Sequence, residues 1–365
     1  MDFDLGSADE KKTTIGRCPG CGANILFNPE TGNLKCAHCG TNVDLPKARS
    51  QKLPISQLNA ESSNNNTWND TKVFSCNNCG AKEVLLKSDI AKNCAFCGAT
   101  SVVDSNELSG LRPNAVVPFK VTKETAIERV IAWAKKKLFA PKKFKKNVTP
   151  DDVDGTYTPA FTFDTTTVTR YNATLQRIET YTTRDSRGNI VTHSRTVNFN
   201  ISGTHNGNFE NVLVQASNTI SQQNIDKISP FNINDSSEYR DEFIYGIKAT
   251  QYTKDGQKCW NEAKNTIDAN IKKAILSGHS YTSIVSFNAD TTYNNVTFRY
   301  VLLPVYVGHL NFKQKLYNFF VNGESGKVTG KTPVSTIKVL GAVGIGLLIL
   351  GGLVVAGLAI AGVFS

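Results

Sequence analysis

Residues 17–40 read "RCPGCGANILFNPETGNLKCAHCG", and residues 75–98 repeat the plan as "SCNNCGAKEVLLKSDIAKNCAFCG". The pairs are Cys18/Cys21 with Cys36/Cys39, then Cys76/Cys79 with Cys94/Cys97, with fourteen residues between pairs in both modules. Each pair is followed at once by glycine: Gly22, Gly40, Gly80 and Gly98. A knuckle that wraps backbone N–H groups around sulfur needs a residue tolerant of positive φ just past its second ligand, and glycine supplies it without steric cost. Two knuckles and a hairpin-sized spacer describe a four-cysteine zinc ribbon, in which the metal replaces a core that about 25 residues are too few to build. Iron in a rubredoxin-like site is the competing metal for sulfur ligands. Four cysteines close each site, so the zinc is expected to be structural, with no position open for catalytic water, and His38 inside a knuckle is a bystander.

Cysteine usage also bears on compartment. Eight of the nine cysteines sit in these modules and Cys259 stands alone. Closely paired cysteines, with no basic and apolar leader in "MDFDLGSADEKKTT", point to thiolates kept reduced in the cytoplasm. The net charge of +10 favours an acidic partner, nucleic acid or anionic lipid, without choosing between them.

Working outward, residues 1–15 form a polar tail, 16–44 ribbon 1, 45–72 a linker with a Ser/Asn cluster expected to be flexible, and 73–105 ribbon 2. Residues 111–330 carry the pattern of an α+β domain with an antiparallel sheet. "NAVVPFKV" reads as a strand, and Thr122 can cap a helix whose Ile127, Val130, Ile131, Ala134 and Leu138 keep helical spacing. Runs such as "GTYTPAFTFDTTTVTRYNATL" and "NIVTHSRTVNFNISG" read as strands and hairpins. A second helix is expected from Gln257 to Leu276, with Trp260, Ala263, Ile267, Ile271 and Ile275 on one face. Helix then Pro-containing strand occurs twice ("YTPAFTF", "LLPVYVG"), as an internal duplication or an ordinary helix-plus-meander would give.

Residues 339–364, "VLGAVGIGLLILGGLVVAGLAIAGVF", contain no charged side chain over 26 residues, a helix of about 39 Å against a hydrocarbon core of about 30 Å. The expectation is a single C-terminal transmembrane helix: a tail-anchored, single-pass protein of the cell membrane with its N-terminal domains in the cytoplasm and Lys327, Lys331 and Lys338 on the cytoplasmic flank. Small residues four apart in it (Ala342/Gly346, Gly352/Ala356, Gly357/Ala361) suit a homo-oligomer formed through the span. Seven lysines between Lys135 and Lys146, interleaved with Leu138, Phe139 and Phe144, read as a basic patch for anionic lipid or a nucleic-acid backbone, or as a solvated helix end over core aromatics.

The ribbons resemble those of the transcription factor IIB type. With "RPNAVVPFKVTKETAIERVIAWAKKKLFAPKKF", "GTYTPAFTFD", "LLPVYVGHLNFKQKLYNFFVNGESGKVTGKTPVS" and the apolar tail, most of the chain is similar to a bacterial family of membrane-tethered double zinc-ribbon proteins, often loosely labelled primosomal-protein-like. Thr158 and Ala160 stand where that family usually carries aromatics. Some relatives are encoded beside flotillin-like and phage-shock-A-like proteins, so the resemblance implies work at a stressed or organising membrane.

No His-Glu-x-x-His, Gly-x-Ser-x-Gly, P-loop or dinucleotide fingerprint occurs, and Cys259 beside Trp260 reads as packing. The expected function is therefore a non-enzymatic adaptor binding protein partners. The alternative is a nucleic-acid-binding protein, against which the ribbons carry few basic residues: Arg17 and Lys35, then Lys82, Lys87 and Lys92.

Overall fold

The structure is a computed structural model and describes residues 16–60, 71–78, 80–86, 94, 96, 102–105, 111–146, 153–312 and 315–360. In chain order its elements begin with β1 (Ile25–Asn28), β2 (Asn33–Cys36) and β3 (Asn42–Val43). Then come β4 (Leu53–Pro54), the single turn α1 (Gln57–Ala60), β5 (Thr71–Cys76), β6 (Lys82–Leu86), β7 (Val102–Ser105) and β8 (Ala115–Val116). Helices α2 (Lys123–Lys136) and α3 (Lys142–Lys146) lead into β9 (Val153–Arg184) and β10 (Ile190–Gln215). The rest is α4 (Gln222–Ile228), β11 (Ser237–Glu238), β12 (Lys248–Thr250), α5 (Gly256–Ser277), β13 (Ser283–Phe312), β14 (Lys315–Asn322), β15 (Val328–Gly330) and α6 (Thr336–Ile360).

The β-branched and aromatic runs that read as separate short strands are fused into three very long ones. β9 has 32 residues, β10 has 26 and β13 has 30, and at about 3.3 Å per residue β9 alone spans roughly 105 Å. β9 lies between the other two, antiparallel to both. Its burial falls along its length: residues 156–165 are buried without interruption, 165–175 alternate, and 180–184 are exposed. The base of β9 is thus covered on both faces, its middle on one and its tip on neither, which gives a curled half-barrel carrying a three-stranded blade. The expected α+β class is corrected accordingly to a mostly β domain, because strand length, not helix content, dominates these residues.

Prolines are admitted into this sheet at the points where a strand changes neighbours. One edge of β9 pairs with β12 at Thr156 and Tyr157 and with β10 from Ala160 onward, so Pro159 falls in the gap between them. Pro304 likewise falls between the β8 partners Val301 and Leu302 and the β14 pairing that starts at Val305. A residue without an N–H breaks no ladder bond at either hand-over. The two proline segments lie side by side, Leu302 opposite Pro159 and Pro304 opposite Tyr157.

Both expected helices form. Thr122 caps α2 by accepting from the Thr125 N–H, and Asp255 caps α5 by accepting from the Lys258 N–H. Trp260, Ala263, Ile267, Ile271 and Ile275 of α5 are buried against Phe161, Phe163, Phe298 and Tyr300. Of the apolar residues interleaved in the lysine-rich stretch, Phe144 is core, packed near Phe312 and Tyr317, while Leu138 and Phe139 are exposed.

Residues 45–60 are not the flexible linker expected of them. Leu45 is buried, Ser50 N–H donates to the Ser236 carbonyl at 3.0 Å, Lys52 reaches Asp164 at 3.2 Å, β4 pairs with β13, and Leu58 packs on α5. Leu58 comes so close that a Cβ on Gly256 would run into its side chain, which would have to shift to admit it. Polar composition here marks a strap hydrogen-bonded along the domain surface; residues 61–70 lie outside the described residues.

The C-terminal expectation is also corrected. α6 exposes Leu340, Val343, Leu347, Leu348 and Leu350, and Lys338 Nζ donates to the carbonyls of Leu138 and Ala140 at 3.0 and 2.9 Å. Among the described residues no helix is long and apolar enough to cross a membrane, so the transmembrane helix placed at 339–364 is not upheld. Residues 361–365 lie outside the described residues.

Candidate metal centre

In ribbon 1, β1 and β2 form a hairpin that holds the two knuckles at one end, with β3 added beside β2. Both knuckles repeat one hydrogen-bond scheme. Cys18 N–H donates to the Ala23 carbonyl at 2.7 Å and Gly22 N–H to the Cys18 carbonyl at 2.8 Å; Cys36 N–H donates to the Thr41 carbonyl at 2.9 Å and Gly40 N–H to the Cys36 carbonyl at 3.0 Å. Gly22 and Gly40 have φ of 72° and 76°, the left-handed backbone expected of them.

The result is a cluster in which the sulfurs of Cys18, Cys21, Cys36 and Cys39 all lie within 4.8 Å of one another. Cys18 Sγ is 3.5 Å from Cys39 Sγ, and Cys21 Sγ is 3.6 Å from Cys36 Sγ. Four thiolates about 2.3 Å from one ion stand about 3.8 Å apart, so the donor set fits a tetrahedral metal ion and suits zinc. Cys18 and Cys36 are buried, Cys21 and Cys39 exposed, and His38 is exposed beside them.

The thiols are not equivalent. The Thr41 hydroxyl, 3.0 Å from Cys39 Sγ, and the Thr41 N–H pull Cys39 down to about 6. At Cys18 burial acts upward, but the N–H groups of Gly20 and Cys21 outweigh it and the net shift is downward. The Ala23 N–H lowers Cys21, yet the adjoining sulfur of Cys39, burial and the Cys36 sulfur overcome it and push Cys21 up to about 12. Four sulfurs at this separation therefore resist full ionisation unless a cation neutralises them, and metal binding supplies it while releasing protons. Thr41 belongs to no ligand motif, although its place directly after Gly40 is where a second-ligand thiolate finds a donor.

Ribbon 1 is also not a free head. Phe27 stacks at a tilt on Phe243 with ring centroids 5.6 Å apart, its N–H donates to the Tyr245 carbonyl at 3.1 Å, and a Cβ on Gly16 would strike the Tyr245 ring. Cys18, Ile25, Phe27, Leu34, Cys36 and Leu45 share one core with Ile244, Tyr245, Ala249 and Tyr157.

In ribbon 2 the knuckle at Cys76 has the same scheme: Cys76 N–H donates to the Ala81 carbonyl and Gly80 N–H to the Cys76 carbonyl, both at 2.8 Å, and Gly80 has φ of 72°. Cys94 is buried and its sulfur accepts from the Phe96 N–H at 3.4 Å. Cys79, Cys97 and Gly98 lie outside the described residues, so one four-cysteine group, not the expected two, is assembled among the described residues. This ribbon too is built into the domain: β6 pairs with β12, and Cys76, Ala81, Cys94 and Phe96 share a core with Ala160, Ile225 and Val301. Cys259 lies on the buried face of α5; burial pushes its thiol up to about 12, and it packs as expected.

The chain is a homologue of the uncharacterized protein YdjG of Bacillus subtilis (strain 168), 29% identical over 325 residues that make up 88% of this chain and 91% of YdjG. No family model and no solved structure matches it. A likeness of that length takes in the β domain together with cysteine-module sequence, in keeping with modules that pack on the sheet as part of one unit.

Proposed function

We propose that this protein is a non-enzymatic, cytoplasmic adaptor whose two cysteine modules hold structural zinc and present fixed contact surfaces to protein partners. The observation that carries the reading is the closed set of four sulfurs at Cys18, Cys21, Cys36 and Cys39, all within 4.8 Å, which fills a tetrahedron from the protein alone and leaves no ligand position for water or substrate. The second ion is assigned to Cys76, Cys79, Cys94 and Cys97, on the strength of the shared knuckle at Cys76. Docking of both ribbons on the domain changes the adaptor from two heads on a strap to a single rigid surface. With no span upheld, neither membrane anchoring nor span-mediated association enters the proposal.

A nucleic-acid reading is favoured by one observation, the exposure of Lys135, Lys136, Lys142 and Lys143 around and just after the end of α2. Two measurements separate the readings. The purified chain should contain two zinc ions, and should recover specific protein partners from native extract while showing no salt-dependent shift of DNA or RNA. A shift that weakens steeply with salt and disappears on replacing the four lysines by glutamate supports the alternative, and metal-free folded protein overturns the zinc assignment.

A further inference from the structure

The blade has an open edge along β10. Between Ile190 and Phe209, β10 pairs with β9 in unbroken register and with no other strand among the described residues. Its backbone direction follows from its neighbours. The Pro159 carbonyl accepts from Ala216 N–H on the β10 side, whereas the Gln176 carbonyl accepts from Thr282 N–H on the β13 side. Odd-numbered residues of β9 therefore face β10, and because Leu175 lies opposite Phe199, the odd-numbered residues of β10 face back. The N–H and C=O groups of Asn198, Asn200, Ser202, Thr204, Asn206 and Asn208 point out of the edge.

Soluble proteins blunt such edges with lysines, prolines or bulges. This one has none of them: residues 190–209 contain no proline, no lysine and one charge, Arg195. The outer edge of β13 differs, being broken by register shifts at Ile284/Ser286 and Asn294/Thr297.

The edge is also self-complementary. About Gly203 the sequence "VNFNISGTHNGNF" (197–209) reads nearly the same in both directions in its polar positions: Asn198 and Asn200 mirror Asn208 and Asn206, and Ser202 mirrors Thr204. A two-fold axis normal to the sheet through Gly203 sets Asn198 opposite Asn208, Asn200 opposite Asn206 and Ser202 opposite Thr204, all outward-facing residues. On the other face it sets Phe199 opposite Gly207, large against small. The charges nearest the two ends, Arg195 and Glu210, are opposite in sign, so no like charges meet. We propose that the chain forms a two-fold homodimer by antiparallel pairing of β10 with β10 about Gly203, making one six-stranded sheet from the two blades, the isologous closure expected of a self-matching edge.

The full chain should sediment as a dimer at micromolar concentration. Ser202→Lys with Thr204→Lys, both at exposed positions, places four ammonium groups around the axis and should weaken association at least tenfold with the circular dichroism unchanged. In a second variant, Asn200→Cys with Asn206→Cys, mild oxidation should join 200 of one chain to 206 of the other, since hydrogen-bonded antiparallel partners sit about 5.5 Å apart at Cα, within disulfide reach; the linked peptides are identified by mass spectrometry. A monomeric wild type, an association that survives the lysine pair, or absence of the 200–206 link overturns the proposal.

Discussion

The backbone N–H of Asn211 donates to Asp164 Oδ1 at 3.1 Å. Asn211 has φ of 52°, and across β9 its counterpart Asn295 has the same value, each inside a register shift of its strand. Asparagine is among the few residues that enter the left-handed region at modest cost. Two bulges at one level shift the neighbours of β9 together, and this is where the two-sided base gives way to the blade. Asp164 ties that level, bonding Asn211, Lys52 at 3.2 Å and the buried Arg299 at 3.9 Å.

Asp164→Ala leaves Arg299, whose side chain is 7% exposed, without its carboxylate. Burial already lowers the guanidinium's proton affinity, with Asp164 opposing it. Removing one partner of a buried pair costs about 3–5 kcal/mol. Urea unfolding should show a loss of that order, and Asp164→Ala combined with Arg299→Met should recover part of it.

Asp255→Ala removes the cap of α5 and should cost about 1 kcal/mol. The Lys258 N–H holds the Asp255 carboxyl below its usual range. A depressed folded-state value means stability present above the unfolded value, near 3.9, and lost as pH falls through the folded one. The stability gap between wild type and variant should therefore be full at about pH 6 and shrink below about pH 4.

Cys36→Ser should remove one zinc from the purified protein by elemental analysis. Because Phe27 of the same ribbon packs on Phe243, metal loss should also raise amide exchange at Phe27 and Tyr245, which a free ribbon would not transmit to the domain. Unchanged exchange at Tyr245 would contradict the docked arrangement.

Gly256→Ala should be destabilising by about 1–3 kcal/mol through its clash with Leu58. Limited proteolysis should then cut faster within residues 45–60.

In native protein Cys259 should stay unlabelled by a maleimide at about pH 7.5, since a buried thiol pushed up to about 12 carries almost no thiolate. Labelling should appear only on unfolding.

The cysteine spacing and the glycines after each pair determined ribbon 1 down to its ligands, because four sulfurs, two tight turns and one hairpin are all local. The 3.6-residue pattern likewise gave α5 to within a residue at each end and, with the Thr122 cap, the start of α2, although α2 stops at Lys136, short of the Leu138 expected on it. What only the tertiary structure decided depends on partners distant in sequence. Thr-rich runs do not say whether they stop at a turn or continue for 32 residues; that depends on β10 and β13 lying alongside. A polar strap is indistinguishable from a linker until Ser236 and Asp164 are there to meet it. The docking of ribbon 1 rests on Phe243 and Tyr245, far along the chain from its cysteines, and no local pattern encodes a contact at that separation.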